Sequence, residues 1–136
     1  LDTRVSLLTR LATSERATGE AARSAARLRE DVLLHLRSIC QTRLGSSPCA
    51  PSLGLPDLTD VLNAGGEASS FVVRALKRAI ETYEPRLANV QVVHVPGESW
   101  DQVLRFEIHA HLLLGKNRSP VRFETRIDPS RQVMIR

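Results

Sequence analysis

Aromatic side chains are scarce in this sequence: three Phe, one Trp and one Tyr make up 4% of 136 residues. So small a set leaves little for base stacking, which weakens any reading as a single-strand nucleic-acid binder. Cysteine is scarcer still. Cys40 and Cys49 form no CxxC pair and no disulfide framework, so a reduced, cytosolic setting is expected. No apolar run approaches the ~20 residues that a membrane span needs. No basic-then-apolar leader opens the chain at Leu1, and residues before it are expected to have been removed. A glycine-rich phosphate loop, a Ser/His/Asp or Cys/His arrangement, an internal repeat and a low-complexity tract are all missing from the sequence.

What is present reads as ordinary globular material, with 42% apolar and 25% charged residues and enough length for one domain with a core. The formal net charge is +4, which invites phosphate binding. The arginines, however, scatter from Arg4 to Arg136 and alternate with carboxylates. That pattern suits a solvated, charge-laced surface that meets an acidic protein partner better than it suits a nucleic acid.

Apolar spacing is helical up to Tyr83 and alternating beyond it. Residues 1–16 are expected to form a flexible or partner-docking segment, in which Leu7, Leu8 and Leu11 share one helical face. A single domain then covers 17–136, mainly helical over 17–83 and mainly β over 88–136. A helix over 17–44 carries an apolar stripe of Ala21, Ala25, Leu28, Val32, Leu36 and Ile39, broadened by Leu33 and Cys40. Cys40 lies on that stripe as a core thiol, His35 near its edge as a structural residue, and Gly45 supplies the stop. Asp57 can cap a short helix over 58–63. A second long helix reaches Tyr83 and should bury Val72, Ala75, Leu76, Ala79, Ile80 and Tyr83.

Strands are expected over 88–95, 104–112, 121–127 and 132–135, with turns at 115–119 and 128–131. Helices first and antiparallel strands second imply an α+β fold, its N-terminal helices packed on one face of a small C-terminal sheet.

The two halves meet at Tyr83-Glu84-Pro85-Arg86-Leu87. Pro85 pushes Glu84 out of the αR region and ends the helix near Tyr83. Glu84 is thereby left beside the negative end of the helix dipole, where a carboxylate needs compensation. In an extended run Glu84 and Arg86 project together, so Arg86, another cation of the chain or a partner can supply it. The pair is either an internal ion pair or a partner contact, or both.

Several segments occur in an order that resembles one family: Ser6-Leu7-Leu8-Thr9-Arg10-Leu11, Gly54-Leu55-Pro56-Asp57-Leu58, the Glu-Pro-Arg joint, and Phe123-Glu124-Thr125-Arg126-Ile127-Asp128. Together they resemble the TssE family of type VI secretion baseplate subunits, related to wedge proteins of contractile phage baseplates. The chain departs from that pattern at Leu53, where an aromatic is expected. The resemblance implies a non-catalytic, cytoplasmic assembly protein without a cofactor, positioned at the inner face of the inner membrane. It implies as partners the wedge subunits TssF and TssG, the adaptor TssK, and the sheath proteins TssB and TssC. Glu84, Pro85 and Arg86 would contact the wedge core, and the C-terminal strands would initiate the sheath by strand addition. Arg122, Glu124 and Arg126 would keep that edge soluble and set the register.

The family's old lysozyme label supplies the alternative, a peptidoglycan-acting glycosidase using Glu84. Such an enzyme needs two carboxylates across a cleft, roughly 5 to 9.5 Å apart, one with a raised pKa. Glu81, the close neighbour, sits on the same helix end, and Arg86 would lower the Glu84 pKa instead. His109 and His111 share a strand face with Glu107, but a structural zinc site wants a fourth ligand that no other Cys/His cluster offers.

Overall fold

The computed structural model describes residues 7–63, 66–98 and 102–136. Two units divide the chain, Leu1–Asp31 and Val32–Arg136. Helix α1 (Leu7–Gln41) supplies the described structure of the first unit and opens the second. It therefore starts well before the expected residue 17. No proline interrupts residues 7–41, and Gly19 costs only about 1 kcal/mol within a helix. The described side chains over 19–31 are exposed or half-buried. Ala21, expected in the core, is exposed; alanine offers too small an apolar surface to require a cover. Burial begins in the second unit, where Val32, Leu36, Ile39 and Cys40 are almost wholly enclosed.

The helix ends at Gln41, where Thr42 returns both its N–H (3.1 Å) and its hydroxyl (2.8 Å) to the Ser38 carbonyl. The following loop is tied down by a parallel bridge between Arg43 and Leu55. Gly54 is required there: its φ is +104°, and a Cβ would stand 2.3 Å from the Thr42 carbonyl oxygen. Leu55 is fully buried, which makes the Gly-Leu-Pro segment an anchor for the loop. Helix α2 (Leu58–Asn63) follows, with Thr59 N–H donating to the Asp57 carboxylate at 3.0 Å as the capping expectation required. Helix α3 (Gly66–Tyr83) buries Val72, Leu76, Ala79 and Ile80 and packs on the first strand, whereas Ala75 and Tyr83, expected on the same stripe, are only half-buried at its margins.

Strands β1 (Leu87–Val95), β2 (Leu104–Leu114), β3 (Asn117–Ile127) and β4 (Val133–Ile135) form one antiparallel sheet in the order β1-β2-β3-β4. A bulge lies between Ala88 and Gln91, with Asn89 at φ 52°. It shifts the strand's phase, so that Leu87 and Val90 both turn inward. The β2–β3 turn is tighter than expected. Leu114 pairs with Asn117 across Gly115-Lys116, and Gly115 at φ +60° gives the two-residue hairpin its II′ character. Phe106, Ile108, Ala110, Leu112, Phe123 and Ile127 fill the inner face. Alternation puts Arg105, Glu107, His109, Arg122, Glu124 and Arg126 on the outer one.

Candidate functional site

The joint between α3 and β1 is a β-turn, not the extended run that alternation suggested. Glu84 N–H still donates to the Ile80 carbonyl (2.9 Å), and Leu87 N–H closes the turn on the Glu84 carbonyl (3.3 Å). Pro85 fills the second turn position, which its fixed φ suits. Arg86 completes the turn, and its carbonyl accepts from Leu113 N–H of β2 at 2.9 Å. The turn is thus held from the helix side and from the sheet side.

Within it the Glu84 side chain is 0% exposed, and it is enclosed by donors. Oε1 accepts from Arg86 N–H (3.1 Å) and Arg86 Nε (2.8 Å); Oε2 accepts from Arg86 Nη2 (2.9 Å) and from His35 Nδ1 (2.7 Å). Burial pushes the carboxyl up. The bonds from the Arg86 side chain, from His35 and from Arg86 N–H outweigh it, and the carboxyl lies below its ordinary value. Glu84 is therefore an ionised acceptor. Since it can only accept, His35 Nδ1 carries the hydrogen of their bond.

Of the groups that could compensate Glu84, namely Arg86, another cation of the chain or a partner, the fold brings Arg86 onto the carboxylate. His35 was read as structural only; it proves to be the third member of the cluster, across 49 residues of sequence. The one signal for it was its place at the edge of the buried stripe of α1, facing the same core as the end of α3.

The remaining candidates lie elsewhere. Leu7, Leu8 and Leu11 fall on the first turns of α1, and their side chains are outside the described residues. Arg122 and Glu124 stand on the outer sheet face, bonded to each other at 2.8 Å. Arg136 adds two donors to Glu124, at 3.0 and 2.8 Å, and these bonds with that from Arg122 lower the Glu124 carboxyl. Glu107 stands directly opposite Glu124 in the register, an unfavourable like-charge pair that Arg122 bridges at 3.4 Å to Glu107. Arg126 is exposed, paired in the register with the exposed Met134 of β4. His109 turns Nε2 to Glu107 at 3.0 Å.

The far sheet edge is unevenly covered, because β4 has three residues against eleven in β3. Glu124 N–H donates outward to the Arg136 carbonyl, so even-numbered residues of β3 turn their main-chain groups to that edge. Beyond β4 these are Arg118, Pro120 and Arg122. Pro120 has no N–H to offer, which interrupts the row of donors and fits the edge position of a proline.

A family model described as "Baseplate wedge protein gp25" matches residues 26–116, more than half of the chain. The span contains His35, Glu84, Pro85 and Arg86; Arg122, Glu124 and Arg126 fall outside it. Among solved structures, a chain of "The baseplate complex from the type VI secretion system" shares the fold, with a TM-score of 0.58 and 24% identity. The match covers 81% of this chain and 98% of that one. Comparison with curated proteins gives no match.

Proposed function

The chain belongs to the gp25 baseplate wedge family, and from that premise we propose a non-catalytic baseplate subunit of a type VI secretion system. It links the baseplate wedge to the contractile sheath and initiates sheath polymerisation. The observation that carries this reading is the Glu84 clasp: a fully buried carboxylate spends its acceptors on presenting Pro85 and Arg86 at a turn held from two sides. Such a turn is a rigid surface feature, and it lies inside the span that the family model matches. The fold likeness to a chain of the type VI baseplate complex supports the choice of system.

In this reading Glu84, Pro85 and Arg86 meet the wedge subunits TssF and TssG, with the adaptor TssK in the same assembly. Leu7, Leu8 and Leu11 dock on a partner through their apolar face. The edge of β3 and β4 receives a strand from TssB or TssC, with Arg122, Glu124 and Arg126 setting its register. The assembly sits in the cytoplasm against the inner membrane; among the described residues no helix is long and apolar enough to cross it.

The glycosidase alternative finds no support at Glu84. A general acid must be raised in pKa and reach its substrate, whereas this carboxyl is lowered and 0% exposed. Co-purification of wild type and Arg86→Ala with co-expressed TssF and TssG, alongside thermal melts, tests the assembly reading. Arg86→Ala should fold and lose the wedge; a folded variant that keeps it would overturn the assignment of this joint. A peptidoglycan-release assay should stay at background.

A further inference from the structure

A partner that meets this joint cannot touch Glu84, whose side chain is 0% exposed. It can meet exposed Pro85, Arg86 at 35% exposure, and His35 at 40%. The His35 ring is oriented by its bond to Glu84, which takes the Nδ1 hydrogen at 2.7 Å. The opposite ring nitrogen, Nε2, has no hydrogen bond among the described residues, and it is not among the buried unsatisfied atoms. In the neutral ring whose hydrogen is on Nδ1, Nε2 carries a lone pair aimed away from the carboxylate.

We propose that the joint is read through His35 as well as Pro85 and Arg86, with Glu84 as the positioning residue that fixes the imidazole's orientation and tautomer. The matching partner group is an uncharged hydrogen-bond donor, a main-chain N–H or a hydroxyl, brought to Nε2. For the neutral ring an uncharged group fits, because Nε2 is then an acceptor and the Arg86 guanidinium already faces the Glu84 carboxylate inside the chain. This deepens the reading of the same joint as the wedge contact and rests on it.

The test compares His35→Asn with Arg86→Ala in titrations against the purified TssF–TssG complex, at low and high salt, with melts of each variant. Asparagine can keep a donor near the position of Nδ1 and removes the outward nitrogen. His35→Asn should melt as wild type and bind about fivefold to tenfold weaker, the loss of one net hydrogen bond, with little salt dependence. Normal binding by folded His35→Asn together with lost binding by Arg86→Ala overturns the role of His35 and leaves the joint as the contact. Normal binding by both overturns the joint as well. A steep salt dependence of the His35 contribution would mean a carboxylate facing an imidazolium, and would overturn the uncharged donor.

Should His35→Asn melt early, footprinting of the unmutated protein decides. Diethylpyrocarbonate should modify His35 in the free chain and spare it in the complex; equal modification in both overturns the proposal. Nitrogen-15 spectra add a check on positioning. Neutral His35 should show Nε2 as the bare nitrogen, and Glu84→Gln, whose amide can donate as well as accept, should mix the tautomers.

Discussion

Glu84 and Glu124 are chemically the same device in two settings. Each carboxylate accepts two hydrogen bonds from the guanidinium of one arginine and one more from the side chain of a second residue, and each is lowered in pKa. Glu84 is 0% exposed at the core's edge, whereas the Glu124 side chain is 39% exposed on an open sheet face, beside an Arg136 at 78%. Removing one partner from a buried pair leaves a charge without water or counter-ion; removing one from an exposed pair leaves a charge in solvent. Equal geometry therefore predicts unequal consequence. The buried pair organises the joint, and the exposed one stays in solvent.

The largest test of that contrast is Glu84→Ala, which strands His35 and Arg86 beside a cavity and should cost ~3–5 kcal/mol in urea unfolding. A cost near that of a surface pair would show the clasp to be hydrated. Acid unfolding is the next.

Because the folded Glu84 carboxyl is lowered, its contribution is complete above the ordinary value of about 4.3 and disappears as pH falls through the folded value. In Glu84→Gln that part of the acid slope should vanish. Asp57 and Asp128 are also lowered, so a reduced slope is expected, not a flat one. Glu124 titrates with the same sign, but 1 M salt should erase its share and spare most of that of Glu84, since screening acts on solvated charges.

A smaller effect is expected from Glu124→Ala, whose melting temperature should match wild type within error while solubility or strand addition changes. The least demanding probe uses the cysteines. Burial pushes the Cys40 thiol up to about 12, whereas Cys49 is exposed. Alkylation of the native protein, read by mass spectrometry, should label Cys49 alone, and Cys40 only when the second unit opens.

How much of this was legible in the sequence depends on the distance between the residues concerned. Several interactions within a few residues could be read: the cap at Asp57, the end of α3 before Pro85, and the approach of Arg86 to Glu84. The alternation over 104–112 gave the buried face of β2 from Phe106 to Leu112, with Leu104 only half-buried. The Glu84–Arg86 approach was right in outcome and wrong in path, because a β-turn takes the place of the extended run. The bulge at Asn89 was not legible, because an extra residue in one strand shows only against its partner. Nor was the tightness of the hairpin at Gly115-Lys116, which the β2–β3 register sets.

By itself, then, the sequence determined the α-then-β order, the amphipathic faces and the Glu-Pro-Arg joint, because helical and strand periods and turn chemistry act over only a few residues. The tertiary structure alone decided that Glu84 is buried, that His35 reaches it across 49 residues, and that Glu124 with the same chemistry stays in water. Burial and long-range contact depend on how α1 from Val32 onward, α3 and the sheet come together, and no local pattern in the chain encodes that distance.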